Sequence, residues 1–204
     1  MNTPLFAAPA KLRAEVRALF DNSDRSGFDL NRRTGSINVH ALHKVPTGSD
    51  RVFKRRWEQE GIESAVIILL DVSGSMFPIN IEFALQTCDA LVDSLSSAHV
   101  KVAVMTFGSH PSVAVPFGAT ATRTKQTLRR VTAGGGTEDA VSLRHAHNIL
   151  LQRNEQRRVC FVLTDGQGDH QGTMKQCLSG EALGITTIGV GIGCGAYVEE
   201  GYTN

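Results

Sequence analysis

Apolar and polar positions change period along this chain, and the changes mark out its elements. Ala65–Leu70 is an unbroken apolar run of strand length, as are most of Val100–Phe107 and Val159–Thr164. Continuous runs of this kind belong to parallel strands covered on both faces. Between them the period lengthens. Ile79–Leu95 places Ile81, Ala84, Cys88, Leu91, Val92 and Leu95 on one helical face. Thr122–Val131, Glu138–Arg153 and a stretch around Gly172–Leu183 also read as helices, and Ile185–Ile192 as a last strand. Ser112–Phe117 is short and bounded by prolines, which suits an edge strand. Arg51–Trp57 is a second candidate edge strand. Strands alternating with helices predict an α/β fold: a Rossmann-like, doubly wound and mainly parallel sheet over residues 51–204.

Residues 1–50 follow another pattern. Ala8–Phe20 forms an amphipathic helix with Leu12, Val16, Leu19 and Phe20 as its stripe. Asp21–Asn38 reads as a connector and Ile37–Leu42 as a short helical turn. With too few apolar residues for its own core, this segment is expected to be a helical arm packed on the main domain.

The chemistry lies where strands end. Asp71 closes the first apolar run, and Ser73 and Ser75 follow at two-residue steps in D-V-S-G-S. Ligands bind open α/β sheets at the carboxyl ends of their strands. Ala133–Asp139, A-G-G-G-T-E-D, puts Thr137 at a helix start, and Val159–Gly166 ends in Asp165. Two carboxylates and three hydroxyls make a hard-oxygen set suited to Mg²⁺, with Mn²⁺ or Ca²⁺ as alternatives, and not to zinc. Neighbouring carboxylates repel each other unless a cation lies between them. The structural alternative is helix capping by Asp and Ser.

D-V-S-G-S at 71–75, G-G-T at 135–137 and T-D-G at 164–166 resemble the metal-ion-dependent adhesion site of von Willebrand factor A domains. The resemblance implies that Ser73, Ser75 and Thr137 are metal ligands, and that Asp71 and Asp165 bind the metal directly or through water. It also implies that an acidic side chain of a partner protein fills the open coordination position. The order of an N-terminal helix, S-I-N-V-H-A-L-H and R-V-F-K-R-R ahead of the first metal-site strand resembles the C-terminal region of the cobaltochelatase T subunit. That implies an AAA+ ATPase partner and a large chelatase subunit acting on a corrin. This sequence lacks the long N-terminal region and acidic stretch of such subunits. A shortened relative serving a MoxR-type ATPase matches equally well.

Composition narrows the alternatives. The 204 residues carry a formal net charge of +1 and 41% hydrophobic residues, which provides a core and no electrostatic signature of nucleic-acid or membrane binding. No apolar run reaches the length of a membrane span, and the first residues do not read as a secretory signal. Cys88, Cys160, Cys177 and Cys194 are scattered without C-x-x-C spacing, so neither zinc nor a disulfide framework is expected and the cytosol is the expected compartment. No phosphate-binding G-x-x-x-x-G-K-[ST] stretch occurs, and Ser73 lacks the G-x-S-x-G setting of a nucleophile. The expectation is a non-catalytic binding module, with a metal-assisted phosphate hydrolase as the competing class. Gly189, Gly191, Gly193 and Gly195 alternate without a helix or ribose-binding acid after them, which favours a strand end over a dinucleotide site. His145 and His147 lie about 200° apart on a helix, so His147 is expected at the core edge and not as half of a metal pair. His170 is expected in a solvated loop. Arg123, Lys125, Arg129 and Arg130 make a basic helix that is either solvated or turned to an acidic partner.

Overall fold

The computed structural model describes residues 14, 16, 20, 25–41, 49–59 and 63–193. The chain divides into two compact units, one of residues 22–62 and one of the remainder.

The larger unit is built on a five-stranded sheet of β4 (Ser64–Asp71), β5 (Lys101–Phe107), β6 (Ser112–Val115), β7 (Arg157–Thr164) and β8 (Ile185–Gly191), in the order β6-β5-β4-β7-β8. All pairings are parallel except β5 with β6. Every residue of β4 is buried, which is why its sequence is apolar without alternation. Its side chains still alternate between two layers. Val66, Ile68 and Leu70 join one cluster with Ile81, Cys88, Leu91 and Leu95 of helix α1 (Ile79–Ser97). Ala65, Ile67 and Leu69 join the other with Leu143, Ala146 and Leu150, and with Cys177. The helices of that second layer are α3 (Asp139–Leu151) and α4 (His170–Ala182). Helix α2 (Ala121–Leu128) follows β6, with Thr120 Oγ1 accepting the Arg123 N–H at its start.

The expected helices and strands of this unit are present with ends shifted by a few residues. The short strand between prolines is the sheet edge at β6. Ala14, Val16 and Phe20 are helical, and Val16 and Phe20 belong to the α1-side core, with Phe20 6.4 Å from Phe161 between ring centroids. Leu12 and Leu19 of the expected stripe lie outside the described residues. Helix α3 buries His147 and exposes His145. His170 begins α4, capped by Asp169, where a loop was expected. Lys125 is held by Asp93 at 3.0 Å, so part of the basic face of α2 is an intramolecular ion pair.

Residues 22–62 depart from expectation. They hold a three-stranded antiparallel sheet, β1 (Arg25–Arg32), β2 (Ser36–Ile37) and β3 (Phe53–Gln59), in the order β1-β3-β2. Arg51–Trp57 is therefore no edge strand of the main sheet: the observed β3 is the middle strand of this small one. Its sequence, F-K-R-R-W-E-Q, carries too many charges for a sheet covered on both faces. The expected connector contains β1, whose Phe28 and Leu30 alternate with polar residues yet remain exposed. Lys54 Nζ lies 4.8 Å from the Phe28 ring centroid. Residues 39–41 form the expected turn; 42–48 lie outside the described residues.

Candidate functional site at the carboxyl end of the sheet

Parallel strands bring their carboxyl ends to one edge, and β4 and β7 are adjacent, with Leu70 opposite Leu163. Asp71 and Asp165 thus leave neighbouring strands side by side. Asp71 is fully buried and its carboxylate is divided between two loops. Oδ1 accepts the Ser73 N–H at 2.8 Å and Oδ2 accepts the Thr164 hydroxyl at 2.7 Å. The first bond folds the D-V-S-G-S turn back on itself and brings Ser73 Oγ within 3.0 Å of Ser75 Oγ. Thr164 Oγ1 in turn accepts the Gly166 N–H at 3.1 Å, and Asp165 Oδ1 the Gln167 N–H at 3.2 Å.

The third loop is fastened to the first by backbone. Gly134 N–H donates to Val72 O at 2.7 Å, and Gly74 N–H donates to Gly135 O at 3.0 Å. Gly135 has a φ of 95°, a left-handed conformation that glycine adopts without strain. Thr137 is half-buried between Gly136, whose N–H Ser109 Oγ accepts, and Glu138, whose N–H the Gly108 carbonyl accepts. All five expected residues thus lie in loops or strand ends that bond to one another. Asp71, Ser73 and Ser75 are tied by side-chain contacts, and Thr137 and Asp165 are placed by their backbones.

Sequence reasoning missed Asp139. It opens α3, is buried, and packs its carboxyl so closely on Gly168 that a Cβ there would fall on the carboxylate. Burial raises its pKa to about 6, with Asp71 adding to the rise and His170 opposing it. Burial also raises Asp71, against the hydrogen bonds from Ser73 and Thr164 and with the charge of Asp165. The signal for Asp139 was available: it is the third residue of T-E-D, in a loop already assigned to the site. Thr164 was visible only as part of T-D-G.

Two oxygens decide what this site can take. Asp139 Oδ1 and Asp165 Oδ2 are buried with no hydrogen-bond partner. Buried carboxylate oxygens demand a donor or a cation. Among the described residues no three of His, Cys, Asp and Glu converge closely enough to hold a metal ion by themselves, so a cation here would need the hydroxyls as well. The donors available are carboxylate and hydroxyl oxygens, which fit a hard divalent cation.

The sequence model of the von Willebrand factor type A domain matches residues 66–167, from the first buried strand to the loop after Asp165. The chain belongs to that family. Among solved structures the A domain is similar to an aerotolerance-related membrane protein from Bacteroides fragilis, at 23% identity and TM-score 0.58 over 64% of this chain and 68% of that one. It is similar to the manganese-loaded TRAP protein of Plasmodium vivax, at 16% identity and TM-score 0.58 over 86% of this chain and 63% of that one. It is also similar to proximal thread matrix protein 1 from the mussel byssus, with a zinc-occupied adhesion motif, at 19% identity and TM-score 0.58 over 70% of this chain and 39% of that one. These likenesses establish the fold. No curated protein matches the sequence. Among the described residues no helix of the A domain is long and apolar enough to cross a membrane.

Proposed function

We propose that this A domain is a protein-docking module whose grip depends on a divalent cation held by Asp71, Ser73, Ser75, Thr137 and Asp165. The observation that carries this reading is the pair of buried, unpartnered carboxylate oxygens on Asp139 and Asp165, beside the paired hydroxyls of Ser73 and Ser75. Mg²⁺ in such a set would supply a coordination position that the protein leaves to an outside oxygen. The chain's residues do the rest. Asp71 fixes the serine turn through its N–H, Thr164 holds Asp71, and Asp139 contributes negative charge from behind. An acidic side chain of a partner is the natural outside ligand, because three carboxylates repel it until the cation is bound.

The rim supports a protein as that partner. Phe77 and Ile79, just beyond Ser75, are 70% and 63% exposed, and apolar side chains beside a charged anchor are what a protein surface covers. The partner is an AAA+ ATPase, on the strength of the resemblance to the cobaltochelatase T subunit and to partners of MoxR-type ATPases. The module is read as binding without catalysis; metal-assisted phosphate hydrolysis, with Asp139 as the available base, is the competing reading, and a turnover assay with generic phosphate esters separates the two. Titration calorimetry with Mg²⁺ and Mn²⁺ tests the root of this proposal: wild type is expected to bind one ion, and Ser75→Ala to bind at least about tenfold more weakly. Equal binding by both proteins, or none by wild type, overturns it. The partner is tested by capture of candidate ATPase subunits with Mg²⁺ and with EDTA. Capture indifferent to both EDTA and Ser75→Ala removes the metal from docking.

A further inference from the structure

The carboxylates at the site are not equally free. Asp71 has both oxygens engaged, Oδ1 by the Ser73 N–H at 2.8 Å and Oδ2 by the Thr164 hydroxyl at 2.7 Å. Asp165 gives Oδ1 to the Gln167 N–H at 3.2 Å and keeps Oδ2 unpartnered. Asp139 keeps Oδ1 unpartnered, and its Oδ2 lies against Gly168. Asp139 and Asp165 are only 7% and 4% exposed, so bulk water does not satisfy either free oxygen.

Position in the helix offers an ordinary explanation for Asp139. A carboxylate in the first turn commonly accepts free N–H groups of its own helix. Here Oδ1 accepts none. The backbone turns the residue toward the site instead. Glu138 N–H donates to Gly108 O, just beyond Phe107, and Phe107 lies opposite Asp71 across β5 and β4. Leu143, Ala146 and Leu150, within about 40° of Asp139 around α3, all pack on the sheet, so Asp139 faces its carboxyl edge. From the other side Gly168, in the loop after Asp165, leaves by its missing side chain the space that the Asp139 carboxylate fills.

We infer that Asp139 Oδ1 is a direct ligand of the cation, together with Asp165 Oδ2 and the hydroxyls of Ser73, Ser75 and Thr137, and that Asp71 stands one step out, orienting the serine turn. This rests on the reading that the site takes a cation, and it assigns which oxygens touch the ion. Two carboxylates then balance a divalent charge, and the five oxygens leave one octahedral position for the partner. Each carboxylate offers a single oxygen, because Asp165 Oδ1 is bonded to Gln167 and Asp139 Oδ2 is turned onto Gly168. A site with no bidentate carboxylate suits Mg²⁺ or Mn²⁺ better than Ca²⁺, which takes about six to eight oxygens. The serine pair agrees. Neighbouring ligands of an octahedral ion held at about 2.1 Å lie about 3.0 Å apart, and Ser73 Oγ and Ser75 Oγ are 3.0 Å apart. A carboxylate bonded to the ion is not free to act as a base, so the assignment also speaks against the hydrolytic reading.

Metal substitution on the whole chain tests the assignment. Cysteine offers a soft thiolate that Cd²⁺ takes and Mg²⁺ does not. With Cd²⁺, Asp139→Cys is expected to show a new sulfur-to-metal charge-transfer absorption over the wild-type baseline, which accounts for the native thiols. Asp71→Cys should show none. Asp139→Ala supplies a second readout: at saturation, bound Mn²⁺ should gain one water in its shell, counted by water-proton relaxation. Wild type should bind Mn²⁺ at least about tenfold more tightly than Ca²⁺. An Asp139→Cys spectrum like that of wild type, an absorption in Asp71→Cys in its place, or an unchanged water count in Asp139→Ala overturns the inference. A preference for Ca²⁺ does so too. Should wild type bind no ion, the docking reading falls as well; an ion bound with Asp139 indifferent removes this inference alone.

Discussion

Glycine 180 and histidine 147 show how one residue's absence of side chain makes room for another. A Cβ on Gly180 would strike the His147 imidazole, which is 4% exposed and within 3.0 Å of Thr187 Oγ1. Alanine ordinarily gains about 1 kcal/mol over glycine inside a helix. Here Gly180→Ala should instead lose about 1–3 kcal/mol through overpacking. In a His147→Ala background the same substitution should become stabilising, and urea unfolding of the four proteins measures the reversal. His147 also carries a pH signature. Burial lowers its pKa to about 4, so the unfolded chain takes up a proton at higher pH than the folded one does. Its contribution is present above about pH 6.5 and is lost as pH falls toward 4; His147→Gln should flatten stability across that window. Asp139 makes an opposite case. Asp139→Asn removes a buried charge facing Asp71 and Asp165, so without divalent cations it should stabilise the protein by about 1–3 kcal/mol. It should at the same time weaken cation binding in calorimetry. A substitution that lowered both would make Asp139 a structural residue only.

At the scale of elements, legibility followed the environment. β4, β5 and β7 were readable because burial on both faces leaves an apolar run, and its strand length with turn residues at the ends separates it from a buried helix. Helix α1 was readable from its stripe. The site was readable because its donors cluster within a few residues of three strand ends, and sequence spacing there is spatial spacing. β1 and β3 were not readable as one sheet. Their sequences are polar, and their pairing is a long-range choice that local pattern does not record. Asp139 stood in a loop already assigned to the site, but its burial against Gly168, about thirty residues on in sequence, is a long-range contact that only the structure shows. The other end of the sheet offers an element-scale prediction. Glu155, just before β7, is 3% exposed and bonds to Arg153 at 2.6 and 3.0 Å and to Lys101 at 3.0 Å. Chiefly through Arg153, its carboxyl is held down at about 2. Stability from this cluster is present above about pH 4.5 and lost as pH falls toward 2. Acid unfolding of Glu155→Gln should show a shallower loss over that interval.

For the molecule as a whole, cation binding and folding should be linked. If the ion binds only the folded A domain, Mg²⁺ at 100 times its Kd adds about 2.7 kcal/mol of stability. Thermal unfolding should therefore shift upward with Mg²⁺ in wild type and barely in Ser75→Ala. The buried thiols are a different case. Cys88 and Cys160 are buried in the core with their pKa values pushed up, so they are inert while the domain is folded.

The two backbone bonds between the serine turn and the glycine loop, Gly134 to Val72 and Gly74 to Gly135, have a consequence for timing. Loops already fastened to each other need no search before the ion arrives. The slow event is then the ion shedding its own water, which Mg²⁺ does reluctantly. Stopped-flow mixing should show Mn²⁺ entering faster than Mg²⁺ at equal concentration. Equal rates for the two ions would mean that the loops must open first.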